Sequence, residues 1–159
     1  MKVGPIQIFV SDFKKAEKWY STVLGMKLVK RYPKFKCVLM KLSPVEFDIG
    51  TPIPNWGKDW DKLKIGGRTP IFFETDNIKN TVKELKQKGV KFTEEISMRS
   101  WGEYKAVFVD PDGNEFSLIE INVGSSYSEM QKGVYTGRAK AVSKDEMLRE
   151  YAKEKGYKL

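Results

Sequence analysis

Few of the side chains in this 159-residue chain could carry chemistry, and their types exclude the commonest kinds. There is no histidine and a single cysteine, Cys37. An imidazole base, an imidazole metal ligand and a Ser–His or Cys–His pair are therefore all missing. The polar groups that remain lie in strand-like segments: Gln7, Asp48, Glu74 and Ser117. Asp48 and Glu74 are the two candidates for catalysis, because two carboxylates buried side by side would split their proton affinities and could act as acid and base. Gln7 and Ser117 suit neutral hydrogen bonds to a ligand. Trp56, Trp60, Trp101 and Tyr104 fall in loops or at strand edges, where their rings could wall a site for a flat or partly apolar organic molecule. Each aromatic also has a packing alternative: Phe9 and Phe72 as core, Trp56 and Trp60 as pins for a long linker or a dimer seam.

The elements that must position these groups come as an internal repeat. Residues 6–29 and 71–93 each run from an apolar strand through an acidic turn and a helix to Gly and a Lys-centred strand start. Asp12 to Gly25 spans thirteen residues, and so does Asp76 to Gly89. Further on, Ser43-Pro44-Val45-Glu46-Phe47-Asp48-Ile49 is echoed by Asp112-Gly113-Asn114-Glu115-Phe116-Ser117-Leu118. Such self-similarity predicts two modules of one βαβββ plan, at about 1–50 and 70–123, joined by a Pro- and Gly-rich linker at 51–69. In the first helix Ala16, Trp19, Tyr20, Val23 and Leu24 form one apolar face, Ser11-Asp12 supply the N-cap and Gly25 the left-handed end. Strands are expected at 26–31, 36–42 and 45–50, then near 70–75, 90–96, 103–109 and 115–122. The second helix is expected at 77–88, closed by Gly89, and Asp110-Pro111-Asp112-Gly113-Asn114 reads as a tight turn. After Val123 a polar extension, 124–159, carries a capping box at Ser143 to Glu146 and a helix with Met147, Leu148 and Tyr151 on one side. It should pack on its own domain, 1–123, or on a dimer partner.

Composition narrows the class. With 40% hydrophobic and 13% aromatic residues the chain can bury a core. No run reaches the roughly 18 apolar residues of a membrane span, and the start lacks a signal-peptide pattern, so a cytoplasmic protein is expected. Cys37 reads as a small buried hydrophobe. The net charge of +8 favours neutral or anionic ligands over cationic ones. It does not argue for nucleic acid, since Lys outnumbers Arg by 24 to 5 and no recognition motif is present.

The strand-Asp-helix-Leu-Gly-Met-Lys-Leu series from Asp12 to Leu28, its second copy, and Asp110-Pro111-Asp112-Gly113-Asn114 before an apolar strand resemble the vicinal oxygen chelate superfamily of glyoxalases, bleomycin-resistance proteins and extradiol dioxygenases. The resemblance covers about residues 4–122. It implies an α+β fold in which two βαβββ modules form a curled mixed sheet with a concave cup, here with a C-terminal helical extension. It also implies metal ligands at four strand positions, which in this sequence are Pro5, Asp48, Pro70 and Ser117. Two prolines, a serine and one carboxylate cannot make the three-donor set a catalytic zinc requires, nor an octahedral set. A metal and any other cofactor are therefore not expected. The place of a glutathione-binding arginine in glyoxalase I is taken by Phe9, which argues against that activity. Alternation from these positions turns Gln7 and Phe9, Glu46 and Asp48, Phe72 and Glu74, and Glu115 and Ser117 towards the cup.

Three functions follow from this reading. The first is a metal-free protein binding a small aromatic or partly apolar organic ligand through Gln7, Phe9, Asp48, Trp56, Trp60, Phe72, Glu74, Trp101, Tyr104 and Ser117. The second is a lyase, isomerase or dioxygenase-type enzyme with an unconventional metal or acid–base site. The third is a regulatory module that binds a partner. A homodimer is expected in each case, because isolated sheet edges invite a second copy.

Overall fold

Ile6–Phe9 (β1) is too short to stand alone and takes its backbone partners from Val45–Gly50 (β4), forty residues on. The computed structural model describes residues 1, 4–54, 63–99 and 103–121. Trp56, Trp60, Trp101 and the extension 124–159 lie outside them. Between β1 and β4 come the helix Phe13–Leu24 (α1), then Lys27–Tyr32 (β2), a 3-10 turn at Pro33–Phe35 and Cys37–Leu42 (β3). The second module repeats the order with Gly67–Glu74 (β5), Ile78–Gln87 (α2), Lys91–Met98 (β6), Glu103–Val109 (β7) and Asn114–Ile121 (β8). Each module makes one four-stranded sheet, ordered β1-β4-β3-β2 and β5-β8-β7-β6. The fold is thus α+β, built of two βαβββ modules. In the first sheet β1 runs parallel to β4, while β2, β3 and β4 form an antiparallel meander.

The chain divides into two compact units. One is Met1–Thr69 with Val109–Glu115; the other comprises the described residues of Pro70–Phe108 and from Phe116 onwards. In the first unit α1 starts where the Asp12 side chain accepts from the backbone N–H of Lys14 and Lys15, at 2.9 and 3.2 Å, satisfying two amides that a helix start leaves unpaired. It ends at Gly25, whose φ of 70° is the left-handed conformation that glycine adopts without strain. Ala16, Tyr20 and Val23 are buried with Ile8, Val38, Met40, Phe47 and Ile49, so the helix covers one face of the sheet. Each such apolar side chain contributes about 1.5–3 kcal/mol on burial. Trp19 and Leu24, at the margin of the apolar stripe, are only half-buried.

In the second unit Ile78, Val82 and Leu85 of α2 are buried. Phe73, Phe92, Phe108 and Phe116 form a cluster with ring centroids 5.5–6.0 Å apart. The Asn77 side chain and the Glu120 carboxylate accept from the first amides of α2, those of Asn80 and Ile78. The helix closes on Lys88, one residue before Gly89, which has φ 82°. Strand β5 begins at Gly67, earlier than its apolar residues suggest. The Gly67 N–H already donates to the Gly113 carbonyl at 2.8 Å, and the Thr69 hydroxyl to the Glu115 carbonyl at 2.7 Å.

The Asp110–Asn114 turn, second-module in sequence, is part of the first unit. The buried Asp110 carboxylate accepts four hydrogen bonds at 2.7–2.9 Å: from the Tyr20 hydroxyl, the Asn114 side-chain amide and the backbone N–H groups of Asp112 and Asn114. Asn114 also donates to the Phe9 carbonyl at 3.0 Å and accepts from the Gly66 N–H at 2.9 Å. Burial, reinforced by the Asp110 charge, raises the Tyr20 phenol far above its ordinary range. The turn is therefore a clasp holding α1, β1 and the Gly66 bend. Gly66 must be glycine there: its φ is 82°, and a Cβ would stand 2.9 Å from the Asp112 carbonyl oxygen.

Candidate functional site

Among the described residues of the first unit, alternation along three adjacent strands turns one face of the sheet away from α1. Ile8, Val38, Met40, Phe47 and Ile49 turn towards α1 and are buried. The residues between them turn the other way. Register then sets them in rows. One row runs Gln7, Asp48, Leu39 and Lys30; the next runs Phe9, Gly50, Cys37 and Tyr32. These rows, without Lys30, floor a cavity of about 380 Å³. Pro5, Phe35, Thr51 and Ile53 complete its lining.

Local sequence explains why the space stays open. Gly50 lies in the middle of the second row, and a Cβ there would meet the Cys37 Cβ at 3.0 Å. Any side chain at that position would crowd the floor. The 3-10 turn lifts Phe35, 54% exposed, beside Tyr32. Lys36 then turns the chain back with φ 49°, and its carbonyl accepts from the Thr51 N–H at 2.9 Å. The Thr51 hydroxyl oxygen accepts from the Phe13 N–H at 3.1 Å, fixing that end of the wall against the start of α1.

The polar groups of the cavity are few. Asp48 and Gln7 are lateral neighbours on β4 and β1. Cys37 and Asp48 are diagonal neighbours on β3 and β4, and the Asp48 carboxylate acts on the thiol. Partial burial first, and then the neighbouring carboxylate, push the thiol up to about 11 from its ordinary value. A thiolate is the nucleophilic form, so Cys37 stays protonated and unreactive near neutrality. Its place differs from the expectation of a buried hydrophobe: it shares the cavity face of β3 with Leu39, while Val38 and Met40 take the core. At the end of the neighbouring row, Lys30 Nζ lies 5.1 Å from the centre of the Tyr32 ring, a cation–π arrangement.

Of the residues singled out in the sequence, Gln7, Phe9 and Asp48 meet in this cavity. Phe72, Glu74, Tyr104 and Ser117 are not among its lining residues. Phe72 is 56% exposed with Lys105 Nζ 5.2 Å from its ring centre, Glu74 is exposed, Tyr104 is half-buried and Ser117 is 1% exposed. Tyr32, Phe35, Cys37 and Leu39 went unnoticed as lining residues. The signal was present in Cys37-Val38-Leu39-Met40, whose alternation places Cys37 and Leu39 opposite the core once paired with β4.

The four positions where the resemblance implies metal ligands give a clear result. Pro5 and Asp48 line the cavity, but proline carries no side-chain donor atom. Pro70 is exposed on β5, and Ser117, on β8 of the second unit, is buried. Among the described residues no three His, Cys, Asp or Glu side chains converge to hold a metal ion. The donor set does not fit a divalent metal. Among the same residues no helix is long and apolar enough to cross a membrane.

Comparison with known proteins agrees with this architecture. A solved structure of a superfamily member from Sphaerobacter thermophilus DSM 20745 matches with a TM-score of 0.64 and 33% identity, covering 76% of this chain and 98% of that one. The uncharacterized protein YetH of Bacillus subtilis is 26% identical over 120 residues, 75% of this chain and 98% of YetH. The human mitochondrial methylmalonyl-CoA epimerase is 26% identical over 131 residues, 76% of this chain and 72% of the epimerase. The sequence profile that matches residues 2–118 describes one family, and the chain belongs to it: the Glyoxalase/Bleomycin resistance protein/Dioxygenase superfamily.

Proposed function

We propose that this protein binds a small aromatic or partly apolar organic ligand in the cavity of its first module, directly and without a metal. The observation that carries the reading is the cavity of about 380 Å³ on the face of the first sheet opposite α1. Its volume falls in the range of small-molecule sites. Phe9, Tyr32 and Phe35 give it ring faces, Leu39, Ile53 and Pro5 give it aliphatic wall, and Gln7 and Asp48 give it two polar groups. Apolar walls with a few placed polar atoms are how proteins hold such ligands. The absence of metal-competent donors at Pro5, Pro70 and Ser117 supports a binding role over the metal chemistry of the wider family.

The name of the human relative suggests racemisation as another reading, which would need a group to remove a proton and a group to return it. The cavity offers one carboxylate, and the Cys37 thiol beside it is held protonated. Binding is accordingly the better-supported reading. Pairing with a second copy belongs to the same proposal, since β1, β2, β5 and β6 are all sheet edges. The test is native mass spectrometry of protein isolated from its own host, followed by tryptophan fluorescence against a panel of aromatic metabolites. A co-purifying organic molecule, or a saturable response from the panel, supports the proposal. Silence in both would sink it.

A further inference from the structure

We infer that the cavity selects ligands carrying a protonated amine, anchored by Asp48 with Gln7 beside it. The inference rests on the binding role proposed above and adds the chemical class of the ligand. Its basis is the local electrostatics of the cavity rather than the charge of the whole chain. Asp48 turns into an otherwise mainly apolar space. Its polar neighbour on the adjoining strand is the Cys37 thiol, and no lysine or arginine among the described residues forms an ion pair with it. A carboxylate has roughly four acceptor sites, so most of its capacity faces the cavity. An anion in apolar surroundings favours a cation as its partner, and an ammonium group brings both the charge and the N–H donors. The Gln7 side-chain carbonyl, on the neighbouring strand in the same row, offers a second acceptor for such a head.

The net charge of +8 points towards anions. That long-range preference is screened beyond about 8–10 Å in physiological salt, whereas contact with Asp48 inside a wall of rings is not. Lys30, the nearest cation in the register, does not line the cavity and lies over the outer ring, Tyr32. The family position that would carry a metal ligand thus holds a carboxylate that lines the organic ligand's own space.

The experiment compares three probes with one aromatic body: naphthylmethylamine, naphthylmethanol and naphthylacetate, titrated calorimetrically into the full-length protein and its Asp48→Asn variant. The amine should bind about tenfold or more tighter than the alcohol, in line with a charge-assisted hydrogen bond, and the acetate weakest. In Asp48→Asn the amine should fall to the level of the alcohol, whose own affinity changes by less than about twofold. Circular dichroism and thermal melting check that the variant is folded; the wild-type order of the three probes tests the inference independently of any variant. Equal binding of amine and alcohol, preference for the acetate, or an amine preference that survives Asp48→Asn would each overturn the anchor while leaving the cavity as a binding site. Failure of all three probes to bind would overturn the anchor and count against the binding role as well.

Discussion

Removing the Asp110 carboxylate should cost this protein a large part of its stability, and the structure sets the scale. Asp110 is 4% exposed and accepts from two buried side chains, the Tyr20 hydroxyl and the Asn114 amide, with the two residues 0% and 3% exposed. It also accepts from two backbone amides of its own turn. In Asp110→Ala the Tyr20 hydroxyl and the Asn114 amide each lose a buried, charged acceptor, at about 1–3 kcal/mol for each lost contact. Adding the turn amides, a loss of at least about 3 kcal/mol is expected, against a total of about 5–15 kcal/mol for a typical domain. With a urea dependence of about 2 kcal/mol per molar, the unfolding midpoint should fall by about 1.5 M. Tyr20→Phe removes the bond to Asp110 and leaves that carboxylate three others, so it should cost about 1.5 kcal/mol. The same change made in the Asp110→Ala background should cost clearly less, because the Asp110 acceptor is already gone. Urea unfolding followed by circular dichroism measures all three. An Asp110→Ala midpoint indistinguishable from wild type, or additive losses in the double variant, would refute the clasp. The phenol's raised proton affinity gives a second readout. Its contribution is complete below the unfolded tyrosine value near pH 10 and is lost above it, so stability should decline in strong alkali.

Other consequences concern the cavity and its surroundings. The rate at which iodoacetamide alkylates Cys37 should keep climbing beyond about pH 8.5, the range of a free thiol, towards about 11. The Asp48→Asn variant should shift that profile down only in part, because burial is the larger cause; a wild-type profile that levels near the free-thiol value would contradict the Cys37–Asp48 contact. The thiol's contribution to stability should likewise be present below the unfolded value and fade as pH rises from there towards 11. Protein purified without chelators or a histidine tag should carry no stoichiometric zinc, nickel, iron or manganese by elemental analysis; a full equivalent lost in Asp48→Ala would reverse the reading of the donor set. Sedimentation at micromolar concentration should give a homodimer, and a monomer would show that the sheet edges are protected in another way.

Much of the fold could be read from the sequence because the repeat is written in backbone chemistry. The thirteen-residue interval from Asp12 to Gly25 recurs from Asp76 to Gly89 because each module needs an acidic or amide turn to start its helix and a left-handed glycine after it. The second cap is nevertheless Asn77, one residue past Asp76, and α2 is two residues shorter than α1. Alternation was enough to group Gln7 with Phe9 and to turn Asp48 the same way, because period two is a property of a strand regardless of its neighbours. The rest of the cavity depends on register. Tyr32 falls beside Cys37 only because β2 shifts by a residue between Leu28 and Lys30, and such a bulge leaves no mark in composition. The clasp was hidden for a different reason. Asp110 and Asn114 are ordinary turn residues and Tyr20 sits on an ordinary apolar helix face, and their partnership spans 90 positions. The repeat also conveys backbone better than burial. Phe72 and Ser117 occupy equivalent strand positions to cavity residues of the first module, yet one is half-exposed and the other sealed.

The central claim is that an organic ligand lies on the face of the first sheet opposite α1, and nuclear magnetic resonance of the nitrogen-labelled protein tests it most directly. Naphthylmethylamine, or the molecule recovered from the host, would be titrated while the backbone amide shifts are followed. The account predicts saturable changes concentrated at residues 7–9, 37–39 and 48–51, with the amides of α2 unmoved. Saturable binding whose shifts gather on the outer helices or the C-terminal extension, leaving those three strand segments silent, would contradict it.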